Sequence, residues 1–372
     1  MGLDNKIIRV FPGSNTSRGY YSFFNNIITR GARRIYIIKG GPGTGKSTLM
    51  RAVGQRFLDL GYDLEYHHCS SAPDSLDALV IPGLKVGLLD GTAPHAIEPE
   101  MPGAVDQIIN IDDYLSGDLI LNHKGQIQAN FDQTKRFFKT AYSLLTESKQ
   151  AYDEYSSYVS ESLDRSRYNK ISRILLESIF SDIGVEGRQE PQSRQLFAAA
   201  ITPLGFVDYL ETILDKDMRV YSIKGVPGTG VKGLIGRIAD EATERGLYTL
   251  RFHCPYEPEK LDMVIIPSLT TAVLNSSQPH HFDIKKLESV QIIEDVDLNT
   301  CIQKTKLYPY EDLMQDARKR YNSLIDKAVA ALARAMEAHD RNEAYYVKAM
   351  DFKGLDKKKE EIIEQIMSLI DK

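Results

Sequence analysis

"IKGGPGTGKST", residues 38–48, packs four glycines and a proline into a short run that closes on Gly45-Lys46-Ser47-Thr48, and "IKGVPGTGVKG", residues 223–233, repeats its frame. Gly40 and Gly225 lie 185 positions apart in a chain of 372 residues. The same offset aligns "HCSSAPDSLDALVIPGL" (68–84) with "HCPYEPEKLDMVIIPSL" (253–269) without a gap. An offset of 186 aligns "TSRGYYSFFNNII" (16–28) with "TPLGFVDYLETIL" (202–214), and one of 187 aligns "AYDEYSSYVSESLD" (151–164) with "AHDRNEAYYVKAMD" (338–351). A period this long is too large for a solenoid and reads as two tandem domains of one fold, 1–187 and 188–372, with a polar, Gly- and Pro-containing boundary near residues 184–194.

The local pattern within each repeat predicts α/β architecture. An amphipathic helix precedes a short apolar strand (34–39 and 219–224), the glycine loop, and a helix. A second strand follows in "YDLEYHHC" and "LYTLRFHC", and a third in "KVGLLD" and "TTAVLN" after an Ile-Pro turn. Strands alternating with helices predict a parallel sheet. Residues 132–181 and about 309–371 are charged and apolar-periodic, which predicts a helical hairpin after each sheet.

Composition narrows the function classes. Lys and Arg number 46 against 51 Asp and Glu, a formal charge of −5, which disfavours nucleic acid as a partner. No apolar run approaches the length of a membrane span, and the first residues lack the apolar core of a signal peptide, so a cytoplasmic protein without a membrane partner is expected. Three cysteines, Cys69, Cys254 and Cys301, fit a reducing compartment better than a disulfide framework.

The first loop satisfies G-x-x-x-x-G-K-[ST] through Gly40, Gly45, Lys46 and Ser47, between a strand and a helix as a phosphate cradle requires. Glycines there let backbone N–H groups wrap phosphates at the positive end of a helix dipole. In these residues the chain resembles the P-loop NTPase superfamily, chiefly over 34–90. The whole-chain arrangement is similar to a little-characterised bacterial family of tandem P-loop proteins described as ATPases. The resemblance implies two P-loop NTPase-like domains and one competent nucleotide site, formed by Gly40, Gly41, Pro42, Gly43, Thr44, Gly45, Lys46, Ser47 and Thr48. It also implies a strand-terminal acid for Mg²⁺, for which Asp90 in "VGLLD" is the best candidate, with Ser47 as the second metal ligand. In the second repeat Lys46, Ser47 and Asp90 become Val231, Lys232 and Asn275, a joint loss consistent with one shared task.

Glycine, not glutamate, follows Asp90, so a water-positioning group has to come from elsewhere. His95 is named as the candidate catalytic residue beside Lys46 and Asp90, with Glu98, Asp112 and Asp113 as further acids. Ser70 and Ser71 are possible neighbours of a phosphoryl acceptor, and Arg18 a possible phosphate contact. Neither an N-K-x-D nor an LSGGQ signature is present, so ATP is the expected nucleotide. The expectation is an Mg-dependent ATPase or a kinase-like phosphotransferase acting on an unknown acceptor, with the degenerate second half as a built-in partner that pairs with the first and supplies an arginine. The alternative is an ATP-binding switch or scaffold with negligible hydrolysis that meets a protein partner.

Overall fold

A computed structural model describes residues 6–28, 31–92, 97–181, 183–184, 193–277 and 290–370. The first repeat runs β1 (Ile7–Val10), β2 (Gly13–Thr16), β3 (Gly19–Ser22), β4 (Arg34–Lys39), helix α1 (Lys46–Asp59), β5 (Leu64–His68), β6 (Leu76–Ile81), β7 (Val86–Asp90) and β8 (Asp106–Asn110). Helices α2 (Lys124–Glu161) and α3 (Arg165–Phe180) follow. The second repeat copies this order: β9 (Ser193–Leu196), β10 (Ala199–Thr202), β11 (Gly205–Asp208), β12 (Arg219–Lys224), α4 (Val231–Glu244), β13 (Thr249–His253), β14 (Leu261–Ile266), β15 (Thr271–Asn275) and β16 (Gln291–Asp297). It ends in α5 (Glu311–Ala349) and α6 (Phe352–Met367). Among the described residues no helix is long and apolar enough to cross a membrane.

Each repeat builds a six-stranded sheet, β1-β5-β6-β7-β4-β8 and β9-β13-β14-β15-β12-β16. The sheets are mostly parallel, and the expectation of wholly parallel sheets needs one correction. Leu76–Ile81 and Leu261–Ile266 are strands that run antiparallel to both neighbours. Their sequences, LDALVI and LDMVII, are buried along their whole length and show no alternation, so periodicity does not mark them as strands. The Ile-Pro turn that follows is a tight reversal in which Lys85 (φ 55°) and Thr270 (φ 49°) take the left-handed conformation at equivalent places. A connection of four residues is far too short for the crossover that parallel strands need, so it joins antiparallel ones.

The helix expected ahead of β4 shrinks to a single turn, Phe24–Asn26 in the first repeat and Leu210–Ile213 in the second. The chain before it is spent on the hairpins β2–β3 and β10–β11, reversed at Gly19 (φ 92°) and Gly205 (φ 93°), where only glycine adopts the conformation freely. Phe11 and Phe197 exchange backbone hydrogen bonds of 2.9 and 3.0 Å, joining the repeats at equivalent residues. Near the same junction Arg194 forms a part-buried ion pair with Glu65 at 2.7 Å.

The helices after each sheet do not form the expected hairpins. Helix α2 lies antiparallel along α5, as the hydrogen bond from Asn130 Nδ2 to Asn342 Oδ1 (2.9 Å) and the Arg320–Glu154 ion pair (2.6 Å) show. The shorter helices then cross over. Leu175, Ile179 and Phe180 of α3 fill the second repeat's core against Leu234, Ile235 and Ile238 of α4. Leu355, Ile362, Ile363 and Ile366 of α6 fill the first repeat's core against Leu49, Met50, Val53 and Phe57 of α1. Asp164 and Asp351 cap these helices by accepting from Arg167 N, and from Lys353 N and Gly354 N. The elbow before each cap is stitched to the opposite repeat by the bridges Leu163–Ile302 and Leu115–Met350. Each sheet is thus completed by a helix from the other half of the sequence.

Candidate functional site

Strand β4 delivers the first glycine loop and α1 leaves from it, so Gly45 (φ 93°) sits at the helix start with no side-chain cap. The first N–H groups of a helix lack intrahelical partners, and here they open onto the loop. Thr44 Oγ1 donates to Gly41 O at 2.8 Å and braces the turn, as Thr229 Oγ1 does to Val226 O at 2.7 Å in the second loop.

Lys46 Nζ donates to Gly40 O and Gly41 O at 2.7 and 2.8 Å and stands 3.6 Å from Asp90 Oδ2. Asp90 ends β7, the immediate neighbour of β4 in the sheet. It accepts from Thr92 N at 2.8 Å, while Thr92 Oγ1 donates to Gly40 O at 3.0 Å. Ser47 Oγ accepts from Leu76 N at 3.0 Å and Thr48 is exposed on the first turn of α1. Residues 40–48 and Asp90 are therefore gathered at one end of the sheet. His95 lies outside the described residues.

Two acids at this site carry different signals. Asp112, a distant candidate by sequence, accepts from Gly41 N at 3.0 Å and belongs to the loop. Asp77 lies across β6–β7 from Asp90, one step beyond the Ala78–Leu89 pair, with 4% exposure. Burial and the Asp90 charge push its carboxyl up to about 8. The equivalent pair in the second repeat is Asp262 and Asn275, where Asn275 Nδ2 donates to Asp262 at 2.8 Å. An acid–acid contact has become an acid–amide hydrogen bond.

Other sequence candidates fall away from the loop. Glu98 pairs with Lys39 at 3.0 Å and is largely exposed. Asp113 accepts from Asn110 at 2.6 Å. Ser70 is 1% exposed, sealed under the β2–β3 hairpin whose Asn15 donates to its carbonyl, so it cannot meet an acceptor from solvent. Arg18 pairs with Glu259 of the second repeat at 3.3 Å. The group that the second repeat lays on the first loop is an acid, Glu343 of α5, instead of the arginine expected there. A Cβ built on Gly43 would lie 2.9 Å from the Glu343 carbonyl oxygen and 3.0 Å from its Cα, so the helix backbone rests on the loop itself. No local pattern marks Glu343. Only the offset of 187, which aligns it with Ser156, hints at its place, because a Cβ on Gly228 would lie 2.3 Å from the Ser156 carbonyl oxygen.

The second loop has the same backbone and a different interior. Gly230 (φ 91°) begins α4, and Val226 N donates to Asn299 Oδ1 at 2.9 Å where the first loop uses Asp112. Val231 is buried in the core. Lys232 Nζ turns inward to Glu257 Oε2 at 2.8 Å and Cys254 Sγ at 3.0 Å, and lies 5.6 Å from the Tyr152 ring centre. Glu257 is 1% exposed; burial would raise its carboxyl, but Lys232 and Lys260 outweigh that and hold it at about 2. A cavity of about 400 Å³ adjoins this loop, lined by Tyr152, Ser156, Gly228, Lys232, Glu257 and Asn275 among others. Close packing against α2, through Gly228, is reason enough for this loop to keep its glycines after losing the lysine.

The chain matches no protein-family model, no curated protein and no solved structure. The two repeats therefore serve as each other's comparison. Around the first loop stand Lys46, Ser47, Asp90, Asp112 and Glu343. In the same places around the second stand Val231, Lys232, Asn275, Asn299 and Ser156.

Proposed function

We propose that the first repeat binds ATP with Mg²⁺ in the manner of a P-loop NTPase and either hydrolyses it or passes its terminal phosphoryl group to an acceptor, while the second repeat is a structural copy. The observation that carries the reading is the placement of Lys46 between the glycine-loop carbonyls and Asp90, at the uncapped start of α1. Phosphate oxygens would take the loop N–H groups and the lysine would neutralise charge on the terminal phosphates.

The charge distribution suits a divalent cation. Asp90 and Asp112 put two carboxylates beside an anion-binding loop, more than Lys46 offsets alone. Ser47 and Asp90 would hold Mg²⁺, which would screen the phosphates and polarise the bond that breaks. Among the described residues no group of three or more His, Cys, Asp or Glu is assembled for a metal. Mg²⁺ characteristically takes one or two protein ligands together with substrate phosphates, which is what this pair would supply.

The switch reading has its own support, since α5 rests on the first loop while its partner α2 rests on the second. One experiment separates the readings: single-turnover hydrolysis by the whole protein, with and without candidate acceptors, in wild type and Lys46→Ala. ADP released by wild type and lost in Lys46→Ala supports an ATPase, and release only with an acceptor supports a phosphotransferase. ATP bound and retained marks a switch, whereas turnover unchanged in Lys46→Ala refutes the site.

A further inference from the structure

We infer that Glu343 is an internal ligand of the first repeat's glycine loop: its carboxylate takes the seat of an incoming phosphate, so nucleotide loads by displacing a residue of the second repeat. The inference rests on the proposal that this loop holds nucleotide phosphates.

The geometry begins with the backbone. Gly43 (φ 67°) has no room for a side chain, because the Glu343 carbonyl oxygen, Cα and Cβ would meet its Cβ at 2.9, 3.0 and 3.0 Å. The Glu343 Cβ therefore lies against the loop, while 44% of its side chain stays exposed. His339 Nε2, one turn earlier, stands 3.4 Å from Glu343 Oε1. The His339 contact, then the Lys46 ammonium and the Gly43 N–H, hold the carboxyl below its ordinary range, although partial burial opposes them. Two of these groups, Lys46 and the Gly43 N–H, are the donors that a phosphate on this loop would need.

The second repeat shows that packing does not require the acid. There the residue lying on Gly228 is Ser156, its backbone at least as close, and a cavity adjoins that loop with Ser156 in its wall. An uncharged residue thus satisfies the helix-on-loop contact where the loop lysine is missing, and a carboxylate stands where the lysine is present. A carboxylate and a phosphate cannot share the same donors, and side by side they repel. The free energy of the internal contact is therefore subtracted from nucleotide affinity, as for any ligand whose receptive state is only partly populated. The displaced carboxylate belongs to α5, so loading the first loop perturbs the helix pair that also rests on the second.

The test is a titration of the full chain with a fluorescent ATP analogue in the presence of Mg²⁺, comparing wild type with Glu343→Gln and Glu343→Ser. Glu343→Gln keeps the side-chain shape, and Glu343→Ser installs the residue of the second repeat. Both should bind about tenfold more tightly than wild type, and adding Lys46→Ala to Glu343→Gln should abolish the gain. Tightening of threefold or more in both variants supports the inference. Less than threefold, or weaker binding, overturns it while leaving the nucleotide site intact. Binding by none of these proteins overturns the inference and the proposed function together, whereas binding by the variants alone would make the contact a complete block.

Discussion

Lys232 Nζ lies 2.8 Å from Glu257 Oε2 in a nearly closed interior, so the lysine that arrives one residue late in the second loop is spent on a buried ion pair. Removing it strands a carboxylate that is 1% exposed, with Lys260 at 2.6 Å and Lys149 at 3.5 Å as remaining partners. Lys232→Met should cost about 3 kcal/mol of stability and leave nucleotide binding by the first loop unchanged. Urea unfolding read beside a nucleotide titration checks both halves. A loss of binding comparable to Lys46→Ala would restore the second loop as a working site.

Asp90→Asn makes the first repeat resemble the second, converting the Asp77–Asp90 contact into a pair like Asp262–Asn275. Relief of like charge should stabilise the fold by about 1 kcal/mol near pH 8. The same change removes a proposed metal ligand, so Mg-dependent turnover should fall on the order of a hundredfold. Opposite signs in the two measurements are the signature of a site that holds charge for function, and a variant both less stable and fully active would contradict it.

Asp77 gives a pH test with a defined sign. Its carboxyl is raised from 3.8 to about 8, so between those values the folded chain keeps a proton that the unfolded chain has lost. Its contribution therefore favours folding below about pH 4 and is lost as pH rises through about 8. The buried His68, lowered to about 4 chiefly by burial, acts with the opposite sign over part of this range. The informative quantity is then the difference between wild type and Asp77→Asn. The variant should gain relative stability steadily from pH 4 to 8 in urea melts.

Arg194 and Glu65 join the repeats through a part-buried bidentate pair at 2.9 and 2.7 Å. Burial would raise the Glu65 carboxyl, but Arg194 and His67 overcome it and hold it at about 2. The stabilisation is present above the ordinary carboxylate range and disappears as pH falls through about 2. Glu65→Gln leaves the Arg194 charge without its partner and should cost about 3 kcal/mol at pH 7. The cost should shrink in acid, which chemical unfolding at several pH values will read.

Exchange of the terminal helices predicts where core damage is felt. Ile362→Ala removes a fully buried side chain from α6 and should cost about 3 kcal/mol. Faster amide exchange should appear in α1 and β4 of the first repeat. Leu175→Ala in α3 should loosen α4 of the second. Damage confined to the repeat that carries the mutation in sequence would refute the exchange.

Much of each repeat was legible because its signals are local. Strands β4, β5 and β7 announce themselves as short apolar or alternating runs, and the glycine loop by residues that fix its backbone. Strands β6 and β14 escaped because a strand buried on both faces has no alternation. The hairpins escaped because β2 and β10 are polar or small yet wholly buried, which follows from contact with the other repeat. Spacing and comparison of the repeats single out Lys46, Ser47 and Asp90, which the structure brings together at one end of the sheet. Asp112 was named only as a distant acid, and Glu343 was missed.

By itself the sequence determined that one α/β unit occurs twice and that one glycine loop kept its lysine, serine and acid while the other did not. Those features depend on short-range spacing and on similarity between halves. Only the tertiary structure decided that α2 lies on α5 instead of folding back with α3, that α3 and α6 complete each other's sheets, and that the backbone of Glu343, from the far end of the sequence, rests on Gly43 of the first loop. An amphipathic helix specifies that an apolar face must be buried, and two equivalent sheets offer the same surface. Which sheet receives it depends on the length and pairing of α2 and α5, a contact between distant segments that leaves no periodic trace in either.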